Sequence, residues 1–256
     1  MSILKITNLT KSYKSQRETN TILSGLNLEI EKGEFVCILG PSGCGKSTLI
    51  RCIAGFEDFD GTISSNGKVV TKPDTDRVMV FQDFNQLYPW KTVEKNIMYP
   101  LKLKGIKDKK VLDEVVKEAL RKVDLDGKQK FYPHELSGGM KQRVAIAKTL
   151  AMKPDIILMD EPFAALDAMT RNNLQKELLK LYNDENITII FITHNIQEAI
   201  VLGTRVMLMS RSGEFVIDKK NPLKKPCSPS SEGYGEMWSL FSEALNAENI
   251  REKTTK

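Results

Sequence analysis

The sequence predicts an α/β fold built on a largely parallel sheet, and three observations carry that prediction. Short, almost continuous apolar runs recur at 35–39, 78–81, 156–159 and 187–193, as strands covered on both faces do. Stretches with helix-spaced apolar residues separate them. The first run ends in Gly40-Pro41-Ser42-Gly43-Cys44-Gly45-Lys46-Ser47-Thr48, a G-x-x-x-x-G-K-[ST] loop set between a strand and a helix.

In chain order, residues 3–6 and 26–30 alternate apolar and polar, the pattern of half-buried antiparallel strands. The polar residues 14–21 between them read as a loop. After the glycine-rich loop, residues 48–54 have helical character, and a strand is expected around Gly61-Thr62-Ile63-Ser64. From Asp83 to about Met152 the character becomes helical: Val111, Leu112, Val115, Val116, Ala119, Leu120 and Val123 form one amphipathic stripe. Ser137 stands where a helix cap belongs. Strands return at 156–159 and 187–193, with a helix between them carrying Leu174, Leu178, Leu179 and Leu181. Residues 205–209 and 215–217, joined at Ser212-Gly213, read as a terminal hairpin. Beyond residue 221 the chain turns Pro-, Lys- and Ser-rich, and a short helix is expected over 236–245 before a frayed end.

The glycine-rich loop has a direct chemical reading. Its backbone N–H groups can wrap a polyphosphate, and Gly40, Gly43 and Gly45 permit the angles this needs. Lys46 would reach the outer phosphates, the Ser47 hydroxyl would join a Mg²⁺ shell, and the following helix turns its positive end toward the anion. The strand at 156–159 ends in Asp160-Glu161. A carboxylate at the end of a strand neighbouring the loop is where Mg²⁺ finds a second anchor, through water, which suits Asp160. Glu161, one residue on, would point toward the γ-phosphate side and take a proton from an attacking water. His194 follows its strand to the same edge, to bond the γ-phosphate or orient the lytic water. Gln82, at the end of another strand, would touch Mg²⁺ or that water. His134, beside Pro133, reads as structural.

Bulk properties narrow the class. With 256 residues, 41% hydrophobic and 28% charged, the chain can bury a real core in one large or two small domains. No secretory pattern opens the sequence, and nowhere do roughly 18 apolar residues run together. Cys37, Cys44, Cys52 and Cys227 lack metal-ligand spacing and read as free thiols of a reduced compartment. The net charge of +5 is mild, and Lys102, Lys104, Lys107, Lys109 and Lys110 read as a solvated edge, so nucleic acid is not an expected partner.

Leu136-Ser137-Gly138-Gly139 completes an ordered set: the phosphate loop, Gln82, this stretch, Asp160-Glu161, Ala165-Leu166-Asp167 and His194. Together they resemble the nucleotide-binding subunit of ABC transporters, over roughly residues 1–220. The segment from Tyr88-Pro89-Trp90 to Asn96-Ile97 and the run from Asp160 to Arg171 are similar to those of nitrate, sulfonate and taurine importers. The resemblance implies an α/β P-loop NTPase (RecA-like) fold: a mixed sheet core with antiparallel N-terminal strands (1–82 and 154–220), an inserted helical subdomain (about 83–153) and a tail at 221–256.

It also implies roles. Tyr13 would stack on adenine, residues 40–48 would be the Walker A loop, and Gln82 the Q-loop glutamine. Ser137, Gly138 and Gly139 would be the signature that meets the γ-phosphate across a dimer. Asp160 would be the Walker B aspartate, Glu161 the catalytic base, Asp167 the D-loop aspartate and His194 the switch histidine. Met140 departs from the pattern, since glutamine is the commonest residue there. The implied protein is an ATPase using ATP and Mg²⁺ on the cytoplasmic face of a membrane. A second copy of itself and a permease would be its partners, with an external solute-binding protein engaged indirectly. The rival class is a soluble ABC ATPase of DNA repair, translation or assembly, which usually carries two cassettes or a long coiled coil; this chain has one cassette and no sustained heptads.

Overall fold

Two units make up the chain: Met1–Asp74 with Asn186–Lys256, and Thr75–Glu185. The computed structural model describes residues 2–14, 19–81 and 86–254. In chain order the elements are β1 (Ser2–Lys14), β2 (Thr19–Glu31), β3 (Phe35–Leu39), α1 (Lys46–Ala54), β4 (Asp60–Ser65), β5 (Lys68–Val69), β6 (Arg77–Val80), α2 (Val93–Leu103) and α3 (Lys109–Lys122). A 3-10 turn (Pro133–Glu135), α4 (Gly138–Ala151), β7 (Ile156–Asp160), α5 (Ala168–Glu185), β8 (Thr188–Ile192), α6 (Ile196–Leu202), β9 (Arg205–Met209), β10 (Phe215–Lys220) and α7 (Tyr234–Thr254) follow.

In the first unit, β1 and β2 form an antiparallel ladder continued by β4 and β5. The ladder reaches the pair Lys14–Thr19, so the loop expected over 14–21 is corrected: Lys14 and residues 19–21 are strand, and 15–18 lie outside the described residues. Polarity misleads there, because Tyr13 and the β-branched Thr19 and Thr21 suit a pleated surface. Ser12 and Thr21 sit opposite each other and share a hydroxyl hydrogen bond of 2.9 Å.

The same unit also holds a buried ladder. All five residues of β3 are buried, and β3 runs parallel to both β8 and β9, with β10 closing an antiparallel hairpin on β9. Phe35 and Phe191 meet with ring centroids 6.0 Å apart. The last helix is longer than expected, Tyr234–Thr254 instead of 236–245. It packs on α6 and buries Tyr234, Met237 and Phe241. The carboxylate of its Glu248, also buried, accepts from Arg211 N at 3.1 Å, a polar anchor that apolar periodicity does not reveal.

In the second unit β6 and β7 pair in parallel, and α4 packs against α2, α3, α5 and β6. The stripe on α3 is real but narrower than read: Leu112, Val116, Ala119, Leu120 and Val123 are buried, while Val111 is exposed. Three helices here begin at side-chain caps: Thr92 accepts from Lys95 N, Asp108 from Lys110 N and Val111 N, and Ser137 from Met140 N. Fully buried Asn96 donates to the carbonyls of Tyr88, Lys91 and Thr92 and accepts from Tyr88 N. It thereby pins the 88–92 turn onto α2.

Candidate nucleotide-binding site

The glycine-rich loop is wedged between two strands of its own unit. Gly45 has φ +102°, and a Cβ there would lie 2.9 Å from Leu23 Cδ2 and 3.0 Å from Ile22 Cγ2. A Cβ on Gly40 would lie 2.7 Å from the Met209 carbonyl oxygen. Only a bare backbone fits between β2 and the end of β9. The helix α1 then starts at Lys46, where Gly45 brings no capping side chain and the first turn holds no acidic residue. Its N-terminus thus keeps its positive end for something else.

Lys46 is 5% exposed. Its ammonium donates to the carbonyls of Gly40 at 2.8 Å and Pro41 at 2.9 Å and lies 3.9 Å from Cys44 Sγ. Burial pushes the Cys44 thiol up, which keeps it neutral. Among the described residues the ammonium therefore meets neutral partners only, and a buried charge without a counter-charge is costly. The cradle fits a polyphosphate: it offers a cation, an open helix start and a glycine backbone to one anion.

Both hydrogen-bonding edges of β3 are filled, by β8 and β9. The expectation that Asp160 ends a strand neighbouring the loop strand is therefore corrected. One of those neighbours is β8, and His194 follows its last residue, Ile192, by two positions. His194 is exposed and sits in a closed knot: Thr193 Oγ1 donates to buried Glu198 at 2.6 Å and accepts from Asn195 N at 3.0 Å, while Asn195 Oδ1 accepts from Glu198 N at 3.2 Å. Two short polar residues and a buried carboxylate thus fix the backbone on either side of the imidazole. Tyr13 lies near the end of β1 and is 41% exposed.

The second unit brings together a different set. Asp160 is the last residue of β7 and is buried. Glu161 is not on the strand: its φ is +44°, and its carbonyl accepts from Ala164 N at 3.2 Å. Strand alternation therefore does not aim its carboxylate; a left-handed turn does, a strained conformation for a non-glycine residue. Ser137 is exposed, Gly138 half-buried and Gly139 buried. Ser137 Oγ accepts from Met140 N at 3.3 Å, a backbone contact that any residue at 140 could supply, so the departure at Met140 leaves the cap intact.

Asp167 Oδ1 accepts from Thr170 N at 3.0 Å, and that bond holds its carboxyl below the usual range. A Cβ on Gly139 would lie 2.5 Å from Thr170 Cγ2. Thr170 therefore joins the signature to the Asp167 turn, a role its sequence position gave no signal of. His134 stacks on Tyr132, centroids 5.6 Å apart, as a structural residue would. Gln82 lies outside the described residues.

With this geometry in place, the relatives are informative. Residues 23–164 match the ABC transporter family model. The aliphatic sulfonates import ATP-binding protein SsuB of Bacillus cereus is 46% identical over 236 residues, 91% of this chain and 92% of that protein. The bicarbonate transport ATP-binding protein CmpD of Synechocystis is 40% identical over 213 residues, 82% of this chain and 74% of that protein. Among solved structures, an ATP-binding cassette in a dimeric post-hydrolysis state bound to ADP and Pi superposes with a TM-score of 0.76 at 34% identity, covering 86% of this chain and 100% of that one. The chain belongs to the ABC transporter family: it is an ATP-binding cassette with the α/β P-loop NTPase fold, and an ATPase.

Proposed function

We propose that this chain is the energising subunit of an importer, working as two copies that close on two ATP molecules. The observation that carries the reading is a pair of unlike half-sites. The loop at 40–48 is a buried cradle with an uncompensated ammonium, while the signature at 137–139 is a preformed helix start whose Ser137 faces solvent. Each would complete the other only across two copies, and the dimeric ADP-bound relative supports that arrangement. Because a γ-phosphate would tie the faces together, its loss on hydrolysis releases them, and closure becomes a differential-affinity switch.

In this reading Lys46 and the N–H groups at 40–48 hold the phosphates, with Tyr13 against the adenine. Ser47 and Asp160 are hard oxygen donors suited to Mg²⁺, which when bound neutralises charge on the phosphate oxygens; Gln82 would join that shell. Glu161 accepts the proton of the attacking water, His194 orients it, and Asp167 holds the signature turn at the seam.

The membrane partner would meet the helical segment 88–101, where Trp90 is 70% exposed, an apolar surface of the kind that marks a protein contact. Among the described residues no helix is long and apolar enough to cross a membrane, and this reading puts the solute path in a separate permease. The chain would sit on its cytoplasmic face, and a solute-binding protein would deliver cargo. The import names of the relatives favour an aliphatic sulfonate over nitrate, taurine or bicarbonate as the solute.

Co-expression with a candidate membrane subunit of the importer class tests this. The expected result is co-purification in detergent and sulfonate-stimulated ATP turnover in the reconstituted complex with its binding protein. Failure to retain any integral membrane subunit would overturn the importer reading.

A further inference from the structure

The ring of Tyr13 is not free on both faces. Lys11 Nζ lies 4.8 Å from its centroid, within cation–π range. Lys11 is only 9% exposed, and its ammonium is held from the other side: Glu57 Oε2 at 3.0 Å and the Asp58 carbonyl at 2.7 Å. Burial pulls the lysine pKa down, but the hydrogen bond and charge of Glu57 outweigh it and keep the group charged. The β1–β2 register shifts on both sides of Lys11, and such a bulge re-aims a side chain off strict alternation. Opposite Lys11 in that ladder stands Leu23, against which Gly45 of the phosphate loop closes. Glu57 and Asp58 lie just past the Gly55 cap of α1, the helix that starts in the same loop.

We propose that Lys11 is the positioning residue of the base site, capping one face of Tyr13 so that only the opposite face receives a purine. This rests on the reading of Tyr13 as the adenine-stacking ring and deepens it. A cation fixed over one face holds the ring plane and denies that face to solvent or a second ligand. Its two anchors beyond α1 tie the ring to the helix that grips the phosphates. Base and phosphate are thus gripped by one connected assembly: ring, ammonium, the residues after α1, and the loop.

Calorimetric titration of ATP and of inorganic tripolyphosphate, which has phosphates but no base, tests this on the full chain. Lys11→Met is expected to weaken ATP about three- to tenfold, to leave tripolyphosphate within about twofold, and Lys11→Arg to restore the parent ratio. Retained tripolyphosphate binding shows that the loop is folded. Equal weakening of both probes would make Lys11 a general fold residue, and no change in either would make it idle; each overturns the proposal. Tyr13→Ala separates the underlying reading. If it leaves the ATP-to-tripolyphosphate ratio at the parent value, the stacking role itself fails and the proposal with it. If it lowers the ratio while Lys11→Met does not, only the role of Lys11 fails.

Discussion

Two helices of this chain start in glycine-rich turns, and they are finished in opposite ways. Helix α1 begins at Gly45 with no side-chain cap, a left-handed backbone and a 95% buried lysine whose partners are neutral. Helix α4 begins at Ser137, whose hydroxyl already accepts from Met140 N, at an exposed surface. The first start carries no side-chain cap and no acidic residue in its first turn, and it is built to enclose an anion. The second is satisfied, stable alone and offered outward. A helix N-terminus can thus serve an anion either by withholding its cap or by keeping one and leaving its hydroxyl accessible.

The contrast can be broken at several points. The largest effect is expected from Glu161→Gln, which removes the proton acceptor while sparing Asp160 and the loop. Steady-state ATP turnover should fall by about 10²–10⁴, and turnover at the parent rate would exclude Glu161 as the base. Lys46→Ala comes next: losing a charge-assisted contact of about 1.5–3 kcal/mol should weaken ATP about 10- to 100-fold by titration. The neutral partners of Lys46 would survive the change, so the loss should appear in affinity more than in melting temperature. Gly45→Ala asks for the reverse, since φ +102° and contact with Ile22 and Leu23 should destabilise the fold itself by about 1–3 kcal/mol in denaturant titration. Ser137→Ala is the smallest. Removing the cap should cost about 0.5–2 kcal/mol of stability and leave the ATP affinity of a single copy within about twofold.

These cases also separate what the sequence discloses from what it hides. The loop at 40–48, β3, β7 and the Ser137 cap are local: a glycine pattern, a run of apolar residues and a hydroxyl at a helix start each carry their own signal. The loop reading failed at Lys14 and 19–21 because polar composition outweighed β-branching, while the pairing that makes them strand leaves no mark in composition. The neighbour of the loop strand was missed for the same reason, since nothing near 35–39 says that β8 and β9, far along the chain, fill both its edges. Glu161 was singled out by its position, but its left-handed turn was not foreseen, because alternation was carried one residue past the strand. The knot of Thr193, Asn195 and Glu198 around His194, and the link from Gly139 through Thr170 to Asp167, are contacts among ordinary residues with no motif of their own.

In the proposed function the loop and the signature are halves of one site completed by a second copy. Light scattering on Glu161→Gln, with and without ATP, measures it most directly, with Glu161→Gln/Ser137→Arg as the partner variant. The account expects the mass of one copy without nucleotide and of two copies with ATP, and a double variant that binds ATP with unchanged affinity but keeps the mass of one copy. A double variant that pairs with ATP as readily as the single one would contradict it.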